Sequence, residues 1–163
     1  MVDGLSVRVL ADNHTDRYSV PLTTPGMKIE RTSGTERPGG ASVMTLRAEW
    51  GLSMFAESVR ADETRRVMID FGYTPDALLG NMGLLKLGPA TIDALVLSHG
   101  HIDHFGGLTG LLAASKGQLK PGLPLFVGGE DCFCTRQSAT DGDFGALEPL
   151  PAARLNQPSP AKP

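Results

Sequence analysis

No apolar run in the sequence approaches the length of a membrane-spanning helix, so no membrane segment is expected. A basic excess is also lacking. Fifteen Lys and Arg stand against 18 Asp and Glu, a net charge of −3, and the sequence pI is about 5.8. A general nucleic-acid binder carries a basic face, and that class is set aside. The N-terminus, MVDGLSVRVLADNH, has neither a basic region nor a continuous apolar stretch. No signal peptide is expected, and the cytoplasm is the expected compartment. There are two cysteines, Cys132 and Cys134, one residue apart. They are too close for an ordinary disulfide and lack the CxxC spacing of a zinc knuckle, so they read as reduced thiols. No internal repeat is found. Histidine is scarce, with four in 163 residues, and three of those fall within six positions, His99, His101 and His104.

The length suits one domain with a real core. Twenty glycines and 12 prolines predict short elements and many turns. Leu5, Val7 and Val9 alternate with Ser6 and Arg8, the pattern of a half-buried strand. Residues 31–41, RTSGTERPGGA, read as a flexible loop. GLSMFAESV at 51–59 and RVMID at 66–70 read as two strands joined by a hairpin connection. Thr74-Pro75-Asp76 is a helix start: Thr caps, Pro fits the first helical position, and Asp suits the positive end of the dipole. Leu78, Leu79, Met82 and Leu85 follow on one face. IDALVLS at 92–98 reads as a buried strand, 108–115 as a short helix stopped at Lys116-Gly117, and PLFV at 124–127 as a further strand. The expected fold is mixed α/β, a β-sheet with helices on one face, over residues 1–145. Residues 146–163 are proline-rich and expected to be disordered.

The segment LSHGHIDHFGGL, Leu97 to Leu108, carries the chemistry. Imidazole and carboxylate suit zinc, iron and manganese. Residues two apart in an extended segment point to the same side, so His99 and His101 can reach one cation. Gly106-Gly107 forces a turn that can aim Asp103 and His104 at a neighbouring position. The preceding strand ends at Ser98, and strand carboxyl ends are where open α/β sheets place their sites. Three His and one Asp in six positions are hard to explain by packing.

HGHIDH resembles the HxHxDH signature of the metallo-β-lactamase superfamily, and LSHGHIDHFGGL matches its usual setting. IDFGYTPDALLGNMGLL resembles that family's strand, turn and following helix, with Asp70 at the turn. The run from Leu5 to about Gly145 is similar to the N-terminal half of the subgroup that includes 7,8-dihydropterin-6-methyl-4-(ribofuranosyl)aminobenzene-phosphate synthases. The DN of ADNHT and the EWGLS stretch fit that subgroup. The resemblance implies the N-terminal half of an αββα sandwich. It implies two divalent metal ions, zinc first with manganese or iron as alternatives. His99 and His101 would bind the first, Asp103 and His104 the second. Asp103 is carried as a catalytic residue, and Asp70 as a residue that steadies the ligand loop. The implied activity is metal-dependent hydrolysis, with metal-activated hydroxide attacking a phosphorylated or cyclic-phosphate small molecule. Pterin synthase-like and lactonase-like substrates are the alternatives. Asn13 and His14 are expected near the pocket or in a plain polar turn. Trp50 stands where the subgroup more usually has His, and is expected to fill the core, with walling the pocket as the alternative.

The family's downstream ligands are not matched. No histidine follows His104, and of the aspartates Asp131, Asp141 and Asp143, DGDFG reads as a turn. The chain is therefore expected to be incomplete as an enzyme. It would be a truncated, non-catalytic fragment with weak metal binding, or half of a two-chain enzyme. A homodimer or a complementing C-terminal half is the expected partner besides the small-molecule substrate. An uncovered sheet face is expected to cause self-association.

Overall fold

The computed structural model describes residues 1–14, 20–30, 35–36, 42–128, 136–138 and 142–144. Cys132, Cys134, Asp131, Asp141 and the 146–163 tail lie outside them, as does most of 31–41. In chain order the strands are β1 (Gly4–Ala11), β2 (Leu22–Thr24), β3 (Met27–Ile29), β4 (Thr35–Glu36), β5 (Ser42–Met44), β6 (Ser53–Arg60) and β7 (Glu63–Ile69). Helix α1 (Pro75–Leu84), strand β8 (Ala94–Leu97) and helices α2 (Ile102–Phe105) and α3 (Leu108–Ala114) follow. Strands β9 (Leu125–Val127), β10 (Arg136–Ser138) and β11 (Gly142–Phe144) come last. No helix among the described residues is long and apolar enough to cross a membrane.

One five-stranded sheet organises these elements, in the order β1-β6-β7-β8-β9. Strands β1, β6 and β7 form an antiparallel meander, whereas β7, β8 and β9 run parallel. The two parallel joins need crossovers, and α1 and then α2–α3 supply them. The β6–β7 turn is two residues long, with Ala61 at φ 52°, and Asp3 Oδ2 accepts the Ala61 N–H at 2.6 Å. The three remaining pairs, β2–β3, β4–β5 and β10–β11, are separate two-stranded ribbons. The expected α/β class, a mixed sheet with helices on one face, is what the structure has.

Strand register decides what is inside. Phe55 pairs with Met68, Met68 with Leu95, and Leu95 with Leu125, so these four share one face. Phe55, Met68 and Leu95 are buried together with Leu78 and Met82 of α1 and Leu108 and Leu111 of α3. The opposite face carries an equally apolar row, Val9, Met54, Ile69, Val96 and Phe126 in successive register. There Val9 is 51% and Phe126 58% exposed, and Leu5 and Val7 of the same strand face are open as well. Two readings are corrected here. Strand β1 is a strand, but Leu5, Val7 and Val9 are not its buried side; Leu10 and Ala11 at its end are. Strand β8 is buried on alternate residues only, Leu95 and Leu97, with Ala94 and Val96 half-buried. Alternation records that one face is apolar, not that something covers it.

A contiguous apolar face of this kind favours association in water. The mass of the purified chain by light scattering is expected to rise with concentration, and Val9→Lys with Phe126→Lys to return it toward the monomer. A concentration-independent monomer in the parent would remove the expectation.

Helix α1 follows its sequence signals. Thr74 Oγ1 accepts from Ala77 N at 3.3 Å, Pro75 opens the helix and Asp76 lies in the first turn. It ends in a Schellman arrangement, with Leu87 N donating to Met82 O and Lys86 N to Gly83 O. Lys86 takes the left-handed position at φ 56°, which a side chain disfavours by about 1 kcal/mol. Lys86→Gly is expected to stabilise the protein by a similar, modest amount, read as a higher urea midpoint at unchanged slope.

Asn81, on the buried side of α1, ties distant chain together. Its amide nitrogen donates to Leu10 O at 2.6 Å and Arg47 O at 2.9 Å, and its oxygen accepts from Arg47 N at 2.9 Å. A buried amide is tolerated here because its polar atoms are used.

Candidate metal centre

The parallel pairing of β7 and β8 builds the site. Ile69 is opposite Val96, so the residues just past each strand, Asp70 and Ser98, meet at the carboxyl ends of adjacent strands. Asp70 is 2% exposed. It sits at φ 55°, a left-handed conformation that Asp and Asn tolerate better than most residues. Its backbone is fixed on both sides, with Asp70 N donating to Val96 O at 2.9 Å and Ser53 Oγ donating to Asp70 O at 2.9 Å.

The Asp70 carboxylate then organises the loop that follows β8. Oδ1 accepts Ser98 N at 2.8 Å; Oδ2 accepts Ser98 Oγ at 2.7 Å and lies 2.8 Å from His104 Nδ1. A carboxylate only accepts, so His104 Nδ1 carries the hydrogen and its lone pair is on Nε2. The Ser98 hydroxyl hydrogen is used on Asp70, so Ser98 Oγ accepts from His99 Nδ1, 2.9 Å away. The His99 lone pair is then also on Nε2. One buried carboxylate thus sets the tautomer of two imidazoles, directly for His104 and through Ser98 for His99. Sequence reading singled out Asp70 but missed Ser98 and Ser53. A serine before HGH carries no signal until the parallel register is known.

The motif turns into α2 earlier than expected. His101 is the N-cap position of α2, and Asp103 and His104 are within that short helix. The structure brings the three imidazoles together, with ring centroids 4.5 Å apart for His99 and His101 and 4.0 Å for His99 and His104. His99 is held below the ordinary histidine pKa, first by burial and then by the neighbouring His104 and His101. It is therefore neutral near pH 7, the form that binds a cation. Asp103 is buried, with Oδ2 3.5 Å from His104 Nε2 and Oδ1 without a hydrogen-bond partner. A buried carboxylate oxygen left unsatisfied is costly, and a cation is one thing that satisfies it. Donor type therefore fits a divalent metal. The donors are not drawn into one sphere, however: among the described residues no three His, Cys, Asp or Glu groups form a ready metal-binding set.

The segment before β6 lies against this turn. A Cβ at Gly51 (φ 123°) would overlap the Asp103 carbonyl, and Leu52 N donates to that same oxygen at 3.2 Å. Glu49 Oε1 accepts from Tyr73 N at 3.1 Å and Thr74 N at 2.8 Å, and its Oε2 accepts from Thr74 Oγ1 at 2.7 Å. The carboxylate so placed also suits the positive end of α1. Sequence reading missed Glu49, whose partners are 24 and 25 residues away. Trp50 does not fill the core. It is 59% exposed and packs on Tyr73 at 5.7 Å between ring centroids. The expectation fails because Gly51 and Glu49 anchor the backbone on either side and leave the indole outside. Asn13 and His14 are exposed, just beyond Asp12, whose carbonyl accepts Glu49 N at 3.2 Å.

Comparison with known proteins gives the same setting. Over 80 residues the chain is 33% identical to the 7,8-dihydropterin-6-methyl-4-(beta-D-ribofuranosyl)-aminobenzene-5'-phosphate synthase of Methanocaldococcus jannaschii. That alignment takes in 49% of this chain and 26% of the relative, so the chain spans about a quarter of that protein's length. The description of the metallo-beta-lactamase superfamily matches residues 53–119, a stretch that runs from β6 past α3 and contains Asp70 and all of HGHIDH. By that match, residues 53–119 are similar to the metallo-beta-lactamase superfamily.

Proposed function

We propose that this chain carries the metal-binding part of a metal-dependent hydrolase acting on a phosphorylated small molecule. The observation that supports it most directly is the tautomer control at the HGHIDH cluster. Asp70 and Ser98 leave the His99 and His104 Nε2 lone pairs free of protons, next to Asp103, whose Oδ2 lies 3.5 Å from His104 Nε2 and whose buried Oδ1 has no hydrogen-bond partner. His99, His101, Asp103 and His104 would hold one or two divalent ions, zinc first, with manganese or iron as alternatives. A bound ion of this kind supplies Lewis acidity and brings the pKa of water toward neutrality. The chain's own residues do the positioning. Asp70 and Ser98 orient the imidazoles, and Asp103, seated in α2 on the carbonyl contacts of Gly51 and Leu52, presents its carboxylate to the same place.

The phosphorylated substrate is argued from the relative, whose name is that of a synthase of an aminobenzene ribofuranosyl phosphate. A lactone or cyclic phosphate is the alternative electrophile. The cytoplasm remains the proposed compartment.

A second reading is favoured by one observation, that no three donors converge among the described residues. A tetrahedral zinc site normally uses three or four protein ligands. On this reading a second copy or a complementing polypeptide supplies the rest, or the chain binds metal weakly and is not catalytic.

The test is metal content per chain, by elemental analysis of protein purified without a metal-affinity tag and dialysed against metal-free buffer. One or two retained ions per chain are expected. His101→Ala is expected to lower metal affinity at least tenfold and to abolish any hydrolysis. Content near zero in the parent would sink the enzymatic reading and leave the non-catalytic one.

A further inference from the structure

We propose that Trp50 and Tyr73 form a platform for a flat aromatic ring on the substrate, beside the histidine cluster. The inference rests on the small-molecule reading above and narrows its substrate class. Two large rings are left open to solvent, Trp50 at 59% and Tyr73 at 41%. Burial would remove that much apolar surface from water favourably, yet the fold holds it outside.

The position is fixed rather than incidental. Gly51, next to Trp50, packs on the carbonyl of Asp103, and Gly106 packs on the carbonyl of Tyr73. Both aromatic residues therefore border the turn that carries Asp103 and His104. Their backbone is rigidly held, since Glu49 accepts from Tyr73 N and Thr74 N and Asn81 clamps Arg47. The rings themselves are 5.7 Å apart and inclined at 44°, an open angle rather than a closed stack. A flat ring can lie on one face and meet the other with its edge, the two arrangements aromatic groups prefer. A site on rigid backbone loses little freedom when it binds.

Trp50 is the chain's one tryptophan, so its emission reports the site. The probes are phenyl phosphate and cyclohexyl phosphate, alike in charge and close in size, titrated into the full chain. Phenyl phosphate is expected to quench Trp50 and to bind about tenfold more tightly than cyclohexyl phosphate by calorimetry. Trp50→Leu is expected to erase that preference, Tyr73→Leu to reduce it, and Trp50→Phe to retain part of it. All three should keep the parent's urea midpoint, because both side chains are exposed. Equal affinity for the two probes, binding of neither, or a preference that survives Trp50→Leu would overturn the proposal. So would a concentration-dependent blue shift of Trp50 without ligand, which would make the pair a protein contact. Metal content per chain is scored independently on the same protein, so failure of the metal reading is distinguishable from failure of the platform.

Discussion

Gly107→Ala is expected to destabilise the chain by about 3 kcal/mol or more, a large part of a typical domain's stability. Gly107 sits where α2 hands over to α3 and is buried under the turn after β7. A Cβ there would overlap the carbonyl of Phe71 and lie 2.8 Å from Leu78 Cδ2. Leu78 could rotate, but a backbone carbonyl cannot, so strand end and helix start would have to part. The same separation would disturb Phe71 N to His104 O, now 2.7 Å, and with it the HGHIDH turn. Gly80 provides the contrast. It is within α1 and a Cβ there meets nothing within 4 Å, so Gly80→Ala should raise stability by up to about 1 kcal/mol. Urea unfolding of the two variants with the parent checks both signs. A parent-like midpoint for Gly107→Ala would show that the packing of turn against strand end is looser than described.

Asp70→Ala is expected to be as damaging, by another route. Ser98 N, Ser98 Oγ and His104 Nδ1 lose their shared acceptor, and alanine is placed at φ 55°. Each lost hydrogen bond to this buried, charged carboxylate costs roughly 1.5–3 kcal/mol and the left-handed backbone about 1 more, so a loss of about 3 kcal/mol or more is expected. Asp70→Asn separates structure from chemistry. Asparagine tolerates the backbone and keeps one acceptor oxygen for Ser98 N. Its NH2 group, however, points a donor where His104 Nδ1 and Ser98 Oγ now donate. His104 then has to accept through Nδ1 and carry its hydrogen on Nε2, the atom that would face a cation. Asp70→Asn should therefore remain folded, with a far smaller change in urea midpoint than Asp70→Ala, while metal affinity falls 10- to 100-fold. Parent-like metal retention in Asp70→Asn would refute tautomer control by this residue.

Much of the architecture could be read from periodicity. Strands β6 to β9 and helices α1 and α3 fall close to where their apolar patterns place them, and Thr74-Pro75 announces α1. The β2–β3 hairpin went unread, although Pro25-Gly26, with Gly26 at φ 79°, is a turn signal with a mechanism. Strand β1 shows the limit of alternation. Val7 and Val9 line up opposite Ala56 and Met54, and no local pattern says whether that face is covered. At the site, residue type was enough to single out His99, His101, Asp103, His104 and Asp70. Their relation was not, because Asp70 and His104 are 34 residues apart and meet only through the parallel pairing of β7 and β8. Trp50 was misplaced for a related reason. Its environment is decided by Glu49 reaching Thr74 and by Gly51 reaching Asp103, contacts that no window around Trp50 contains.

The Asn81 clamp has a consequence for how the molecule opens. Residues 45–50 have no regular secondary structure, and such a segment usually exchanges its amide hydrogens quickly with solvent. Here Arg47 N is bonded to a side chain buried in α1, and Glu49 is bound to the first turn of the same helix. The loop cannot lift without dislodging α1, so the Arg47 amide should exchange in step with the helix. Loop, helix and the HGHIDH turn then form one cooperative unit, and the floor of the histidine cluster is as slow to open as the core beneath it.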